Sequence, residues 1–211
     1  MSNIESQKNL CFLQIKNFLQ LTSNQEKSLE EFVTILLNRN QNFNFIGKST
    51  IDDVWHRHIL DCAQLIKYIP NVNLKFGDFG SGAGLPGIIL SILGLKEIHL
   101  IEKSFRKSEF LREAKSLSNQ RIFVQNSKLE EIANLQFDCI VSRALAPLPK
   151  LLEHSVKFLK NEGFCLFLKG KNLQSEINDS KKQFVFEYEL FPSITSKESN
   201  IIHLKKISKI K

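Results

Sequence analysis

The chain has 211 residues, of which 42% are hydrophobic and 24% charged, a balance typical of a folded protein with a substantial core. Its apolar runs are much shorter than the roughly 18 residues that span a membrane, and Gln14 and Lys16 interrupt the N-terminal stretch that an export signal would need. Lysine and arginine outnumber the acidic residues by 29 to 22, giving a net charge of +7, which is compatible with a nucleic-acid partner. We therefore expect a cytoplasmic protein outside the membrane.

The cysteines and histidines do not form a metal-binding pattern. The 4 cysteines are widely separated, without a C-x-x-C pair, as is usual for reduced core residues. His56 and His58 are two positions apart, so on a helix their side chains would point in different directions. We expect no metal site.

Residues 1–72 have the pattern of a helical cap. Ser23 and Glu26 match a capping box at the start of a segment with apolar residues at helical spacing. Thr50 and Asp53 match a second box before another apolar stripe, which ends at Pro70. The sequence therefore predicts two helices that begin at these boxes.

Residues 73–211 have a different pattern, in which short apolar strands alternate with amphipathic helices. This alternation predicts a mostly parallel sheet with helices on both faces. The last two strands are separated only by a loop that contains Pro192, so we expect them to pair antiparallel, before a frayed basic tail at residues 205–211. Five parallel strands and a terminal hairpin make a seven-stranded α/β sheet, which resembles the class I (Rossmann-like) methyltransferase fold.

A glycine-rich stretch, DFGSGAGLPG at 78–87, follows the first of these strands. It can be aligned in two ways: Gly80, Gly82 and Gly84 form G-x-G-x-G, whereas Gly82, Gly84 and Gly87 form the dinucleotide pattern G-x-G-x-x-G. In open α/β sheets this loop lies beside the bound ligand. The chosen alignment therefore decides between two classes of cofactor.

The acidic residues at the strand ends favour the first alignment. Asp78 would face a pyrophosphate unfavourably in the dinucleotide alignment, but it suits S-adenosylmethionine, which carries an ammonium and a sulfonium group and has no phosphates. Glu102 ends the next strand, where a carboxylate accepts hydrogen bonds from ribose hydroxyls; this feature is common to both cofactors. We expect S-adenosylmethionine as the cofactor, with Ser81 also at the loop.

Several motifs together resemble one family, the small-subunit ribosomal RNA guanine-N7 methyltransferases, also called the glucose-inhibited division protein B family (RsmG or GidB). They occur in family order from about residue 30 to 170, and they are RHILD (57–61), DFGSGAGLPG (78–87), IEKSFRKSEFLRE (101–113), SKLEEI (127–132), FDCIVSRALAPL (137–148) and LFLKG (166–170). The chain departs from the family at Asn44-Phe45-Ile46, where Asn-Leu-Thr is frequent, and at Lys128, where arginine is usual.

The resemblance implies methyl transfer from S-adenosylmethionine to N7 of a guanine in the 530 loop of 16S rRNA. The family's cofactor positions correspond to five residues here: Gly80, Leu85, Leu129, Glu130 and Arg143. The partner would be 16S rRNA or the small ribosomal subunit, and we expect a monomer. A nicotinamide-dependent oxidoreductase, a non-enzymatic rRNA-binding assembly protein and a small-molecule methyltransferase are the alternatives.

The implied chemistry requires mainly that the protein align the methyl donor with the acceptor nitrogen. Guanine N7 has a free lone pair, so no general base is required. The segment SRALAPL (142–148) lacks the Asp/Asn-Pro-Pro-aromatic motif of amino-group methyltransferases. We therefore expect Arg143 to act by positioning a ligand.

The residues expected to contact RNA come from three parts of the chain. Arg106 and Lys107 lie on the helix after Glu102, and Lys169 ends the fifth strand. His58 and Asp61 lie one helical turn apart in the cap, where a hydrogen bond to the sheet and a contact with RNA are both consistent with the pattern.

Overall fold

One seven-stranded sheet organises the fold in a computed structural model, which describes residues 2–143 and 145–210. The strand order is β3-β2-β1-β4-β5-β7-β6. The strands are β1 Lys75–Phe79, β2 Glu97–Ile101, β3 Arg121–Gln125, β4 Phe137–Arg143, β5 Leu159–Lys169, β6 Phe184–Pro192 and β7 Asn200–Lys209. Strands β1 to β5 are parallel, as the alternating pattern predicts.

The register brings the ends of the central strands together. Asp78 of β1 lies beside Leu100 of β2 and Val141 of β4. Because parallel strands end at the same edge of a sheet, the glycine loop, Glu102 and Arg143 meet at that edge.

The terminal hairpin is antiparallel, as predicted: β7 pairs with β6 and, on its other side, with β5. Strand β7 continues to Lys209, so the expected frayed tail is wrong for residues 205–209 because their backbone is hydrogen-bonded in the sheet. Lys211, the last residue of that expected tail, lies outside the described residues.

Seven main helical segments and three short 3-10 turns (Lys48–Thr50, Lys115–Leu117 and Leu129–Glu131) surround the sheet in the described residues. The main segments are α1 Ser2–Lys16, α2 Ser23–Asn40, α3 at 55–68, α4 Gly87–Ile92, α5 Phe105–Ala114, α6 Leu148–Phe158 and α7 Leu173–Ser180. Segment α3 is irregular, with a π-helical part (Trp55–Leu60), one α turn (Asp61–Ala63) and a 3-10 part (Gln64–Tyr68). No helix in the described parts of the chain is long and apolar enough to cross a membrane.

Both predicted capping boxes are corrected by the structure. The box of α2 is formed one residue earlier, by Thr22 and Gln25: Thr22 Oγ1 accepts from the Gln25 N–H at 3.3 Å, and Gln25 Oε1 accepts from the Thr22 N–H at 3.0 Å. Thr50 does not cap a helix, because its hydroxyl lies against the Gly47 carbonyl and His58. Segment α3 begins at Trp55 without a side-chain cap.

The core has two layers, one on each face of the sheet. The cap helices share one buried cluster with α4 and α5, for example through Phe32, Trp55 and Leu111. Helices α6 and α7 cover the other face with residues such as Leu152 and Ile177. Strand residues alternate between the layers, as Phe164 and Cys165 show.

Candidate cofactor and substrate cavities

The glycine loop after β1 has a backbone that only glycine adopts easily. Gly80, Gly82 and Gly84 have φ angles of +69°, +56° and +77°, in the left-handed region that side chains disfavour. A Cβ on Gly80 would lie 2.4 Å from Leu145 Cδ1, so the loop also packs tightly against the segment after β4. Leu145 therefore lies directly over the glycine loop.

Glu102 fixes the other side of this loop. The Gly82 N–H donates to Glu102 Oε2 at 2.9 Å, and the Ser104 N–H donates to Oε1 at 2.7 Å. A carboxylate has about four lone-pair positions, so both oxygens retain accepting capacity. The side chain is buried but lines a cavity, which leaves that capacity available to a ligand.

We call this space the glycine-loop cavity; its volume is about 500 Å³, within the range of small-molecule sites. Its lining combines apolar and polar groups: Gly80, Gly82, Ile101, Glu102, Lys103, Lys107, Ser127, Lys128, Leu129, Glu130, Leu145, Ala146, Lys150 and His154. Apolar walls for an adenine and a carboxylate for ribose hydroxyls are both present. These apolar walls and this hydrogen-bond acceptor fit S-adenosylmethionine.

Leu129 and Glu130 reach this cavity from the segment after β3. Leu129 is buried, whereas Glu130 is exposed, with Oε1 at 3.6 Å from His154 Nε2 of α6. The pKa of Glu130 is lowered, first by a hydrogen bond from its own backbone N–H, so this carboxylate is ionised at neutral pH. An ionised acceptor suits an amino group of a ligand.

Asp78, Ser81 and Leu85 lie behind the cavity lining. Asp78 is fully buried; its Oδ2 accepts from the Gly87 N–H at 3.0 Å, and Oδ1 has no partner among the described residues. Ser81 donates to the Asp78 carbonyl, and Leu85 is buried. These residues support the loop from beneath, and direct contact between them and a cofactor stays a prediction.

Arg143 lies in a second space, the Arg143 cavity, of about 460 Å³. Its guanidinium donates to His58 Nδ1 at 2.9 Å, to the Arg57 carbonyl at 3.1 Å and to Asp61 Oδ2 at 3.5 Å. All three acceptors belong to α3 of the cap. The structure thus brings Arg143, His58 and Asp61 together, and it places Arg143 outside the lining of the glycine-loop cavity.

The contacts of His58 identify its protonation state. Nδ1 must accept from Arg143, because a guanidinium only donates, so Nε2 carries the proton and donates to Thr50 Oγ1 at 2.8 Å. Burial, followed by the charges of Arg143 and Arg57, lowers the pKa of His58 to about 3. His58 is therefore neutral and orients Arg143.

Asp61 connects the cap to the hairpin loop at 193–199. Thr195 Oγ1 donates to Asp61 Oδ1 at 2.6 Å, and Gln64 Nε2 donates to the same oxygen at 3.0 Å. Thr195 was not predicted from the sequence, because it lies 134 positions from Asp61 and belongs to no local motif. Arg57 and Lys171, which also line the Arg143 cavity, were missed as well; the position of Arg57 in RHILD was the available signal.

Lys169 connects the two cavities. It lines the Arg143 cavity, is 9% exposed, and its ammonium donates to the Ala146 carbonyl at 2.9 Å and pairs with Glu176 at 2.5 Å. Ala146 itself lines the glycine-loop cavity. Lys169 and Ala146 therefore bring the linings of the two cavities into contact.

Arg106 and Lys107 lie in the first turn of α5. Lys107 lines the glycine-loop cavity, and the Arg106 guanidinium lies 5.1 Å from the centre of the Phe43 ring. Within the described residues, neither has a carboxylate within 4.0 Å. Both are available to a phosphate.

Comparison with known proteins gives a family match over most of the chain. Residues 25–205 match the GidB family model, described as rRNA small subunit methyltransferase G. Ribosomal RNA small subunit methyltransferase G of Rhodospirillum rubrum is 37% identical over 179 residues, covering 85% of this chain and 89% of that protein. The protein of the same name from Orientia tsutsugamushi (strain Boryong) is 36% identical over 196 residues, covering 91% and 98%.

Similar solved structures support the fold. A ribosomal protein L11 methylase from Lactobacillus delbrueckii subsp. bulgaricus has a TM-score of 0.59 at 19% identity, covering 72% of this chain and 79% of that one. A TehB-like SAM-dependent methyltransferase from Corynebacterium glutamicum has a TM-score of 0.53 at 19% identity, covering 69% and 87%. At this identity the likeness concerns the fold, which is the class I methyltransferase fold that the strand pattern predicts.

Proposed function

Because this chain belongs to the rRNA small subunit methyltransferase G family, we propose that it transfers a methyl group from S-adenosylmethionine to N7 of a guanine in the 530 loop of 16S rRNA, forming 7-methylguanosine. The observation that supports this proposal best is the pair of adjoining cavities at the carboxyl ends of the strands. One is lined by the glycine loop and the Glu102 carboxylate, the other has cationic side chains in its lining, and Lys169 of the second lining donates to the Ala146 carbonyl of the first.

The glycine-loop cavity would hold S-adenosylmethionine, whose sulfonium supplies an activated methyl group. Glu102 would accept hydrogen bonds from the ribose, Glu130 from the adenine amino group, and Leu129 would pack against the adenine ring. The loop from Gly80 to Gly84, with Ser81, would admit the cofactor close to the backbone. Asp78 and Leu85 would hold that loop in shape.

The Arg143 cavity would hold the acceptor guanosine and its phosphates. Arg57, Arg143, Lys169 and Lys171 line it with positive charge, partly balanced by Asp61 and Glu176. Since guanine N7 needs no deprotonation, a neutral His58 that orients Arg143 is sufficient. Alignment of donor and acceptor lowers the barrier, and such positioning is worth about 7–11 kcal/mol in favourable cases.

The remaining expectations fit this activity. We propose that the enzyme acts in the cytoplasm as a monomer, without a metal, and that residues 1–72 form the cap that completes the acceptor site. Family membership supports neither the nicotinamide-dependent oxidoreductase nor the non-enzymatic assembly protein.

A labelling experiment tests the proposal. The purified protein is incubated with S-adenosylmethionine labelled in its methyl group and with small ribosomal subunits from cells lacking the activity, and digested 16S rRNA is examined for 7-methylguanosine. We expect the wild type to place label in 7-methylguanosine. Glu102→Ala should lose that label because it binds the cofactor weakly, whereas Arg143→Ala should lose it while still binding the cofactor. Lys182→Ala, an exposed lysine after α7 that lines neither cavity, should label normally. Label in another nucleotide would overturn the proposed target.

A further inference from the structure

A third space, the Phe43 cavity, lies beside the glycine-loop cavity and has no role in the chemistry above. Its volume is about 250 Å³, and its lining is Asn42, Phe43, Asn44, Phe45, Ser104, Arg106 and Lys107. Lys107 lines both this cavity and the glycine-loop cavity. Lys107 is therefore shared by the linings of the Phe43 cavity and the proposed cofactor site.

The loop that forms this cavity is firmly held. Asn40 Oδ1 accepts hydrogen bonds from the backbone N–H groups of Phe45 and Ile46, at 2.8 and 2.9 Å. The Phe45 ring packs on Phe110 of α5 with centroids 4.9 Å apart, and Phe43 contacts Phe45 edge to face at 6.2 Å. Phe43 remains 38% exposed, so a fixed aromatic ring is presented to the solvent.

The cations of this cavity are not explained by the stability of α5. Arg106 and Lys107 lie in the first turn of α5, and that turn contains no acidic residue. Positive charge at the N-terminus of a helix opposes the helix dipole. Later in the same helix, Arg112 pairs with Glu109, and Glu113 pairs with Arg39. Within α5, Arg112 is therefore paired, whereas Arg106 and Lys107, which line the Phe43 cavity, have no carboxylate within 4.0 Å among the described residues.

Two side-chain amides of this loop are also available to a ligand. Among the described residues, the side-chain amides of Asn42 and Asn44 have no hydrogen-bond partner. An amide carries both donors and an acceptor, which can match the edge of an unstacked base. Aromatic and guanidinium planes beside such an edge form the usual platform for a single-stranded base.

We propose that the Phe43 cavity binds an unpaired nucleotide that flanks the target guanosine in the same RNA. Its base stacks on the Phe43 ring and the Arg106 guanidinium, an amide of Asn42 or Asn44 contacts the base edge, and Lys107 contacts the adjoining phosphate. This inference rests on the proposed function, because it assigns a further subsite of the same RNA substrate.

The test combines protein and RNA changes in one binding experiment. The RNA is a synthetic 530-loop hairpin, intact or with one base removed at each flanking position in turn, and its affinity is measured for the wild type and for Phe43→Ala. Loss of one stacked base should weaken binding to the wild type by about 5- to 100-fold, at one position only. The same base removal should have little effect on Phe43→Ala, because the two changes remove the same contact.

A fluorescence variant reports the contact directly. The native chain has 1 tryptophan, Trp55, which is 2% exposed, so Phe43→Trp adds an exposed reporter that retains the platform. We expect the intact RNA to quench this reporter and the base-deleted RNA to leave it bright. Phe123→Ala, which removes a 45% exposed ring on β3 that lines none of the three cavities, should bind like the wild type.

The outcomes separate this inference from the proposed function. If the wild type methylates RNA but Phe43→Ala responds to every base deletion as the wild type does, the nucleotide site is wrong and the activity stands. If the wild type binds S-adenosylmethionine but forms no 7-methylguanosine in small ribosomal subunits, the proposed function fails first. Quenching of Phe43→Trp by an acidic peptide but not by RNA would overturn the nucleotide assignment in favour of a protein partner.

Discussion

Gly80 is constrained by both its backbone and its surroundings. Its φ of +69° disfavours any side chain, and an added Cβ would lie 2.4 Å from Leu145. Since the left-handed conformation costs about 1–2 kcal/mol, we expect Gly80→Ala to lower the melting temperature by about 2–8 °C. S-adenosylhomocysteine binding, measured by calorimetry, should weaken about tenfold or more as the loop and Leu145 separate.

Gly170→Ala is the matched control for this change. Gly170 has no atom within 4 Å of an added Cβ, and its φ lies outside the left-handed region. It should therefore keep normal stability and cofactor affinity. Equal effects of the two substitutions would show that the Gly80 geometry is not what the cofactor requires.

Asp78 should produce a pH dependence of stability. Burial raises the pKa of its carboxyl from 3.8 to about 7, against the opposing hydrogen bond from Gly87. Between these values the folded state binds a proton that the unfolded state does not, so the free energy of unfolding falls as pH rises. The full contribution is present below pH 3.8 and is lost as pH approaches and passes about 7, with a size of at most about 4 kcal/mol.

The Asp78→Asn variant isolates this contribution. Chemical denaturation from pH 4 to pH 8 should show the wild type losing stability relative to the variant, because asparagine does not titrate. The comparison must be relative, since His58 acts in the opposite direction: its pKa is lowered from 6.5 to about 3, so it destabilises the fold as pH falls below 6.5. Parallel curves for wild type and variant would contradict a raised Asp78 pKa.

Residue types could be predicted from the sequence more readily than their orientations. The need for glycine after β1 follows from the loop spacing, and Glu102 follows from the end of the next strand. The contact between Asp78 and the Gly87 N–H depends on the position of the start of α4 relative to β1. No local sequence pattern predicts that position. The cap at Thr22 was misplaced by one residue for a similar reason, because Thr22 and Ser23 are both good capping residues.

The elements around the Arg143 cavity are joined by Asp61. It accepts from Thr195 of the hairpin loop through Oδ1 and from Arg143 of β4 through Oδ2. Thr195→Val should therefore leave Asp61 less well oriented, with a loss of about 1–3 kcal/mol in stability for the disrupted buried hydrogen bond. We expect the KM for RNA to rise, while S-adenosylhomocysteine affinity stays unchanged because Thr195 lies outside the glycine-loop cavity.

Thr34→Val serves as the control for the loss of a hydroxyl. Thr34 is exposed on α2, and its hydroxyl donates to the Glu30 carbonyl of its own helix. Methylation kinetics should be normal in this variant. A raised KM for cofactor in Thr195→Val, with the KM for RNA unchanged, would mean that the hairpin loop does not act through the acceptor site.

At the scale of elements, the strands were predictable because β1 to β5 are short apolar runs at the spacing that βα units require. The irregular segment α3 was not, because its apolar stripe is compatible with an ordinary α-helix. The expected box at Thr50 also failed, since that hydroxyl is used by Gly47 and His58. At Thr50, contacts with neighbouring residues therefore use the hydroxyl that a helix cap would need.

The whole molecule has a net charge of +7, and its cavities concentrate part of that charge. Arg57, Lys103, Arg106, Lys107 and Lys171 line them, and none has a carboxylate within 4.0 Å in the described parts of the chain. Composition alone could not locate these charges, because they come from α3, α5 and the segments next to strand ends. The fold brings them to one edge of the sheet.

This arrangement predicts that two lysines flanking one helix contribute differently to the salt dependence of RNA affinity. Lys171 precedes α7 and lines the Arg143 cavity, whereas Lys182 follows α7 and pairs with Asp179. If Lys171 contacts an RNA phosphate, Lys171→Ala should make the slope of log affinity against log salt shallower by about 0.7. Lys182→Ala should leave the slope unchanged, although both variants lose one positive charge. Equal slopes in the two variants would mean that RNA responds to net charge rather than to the charges at this edge of the sheet.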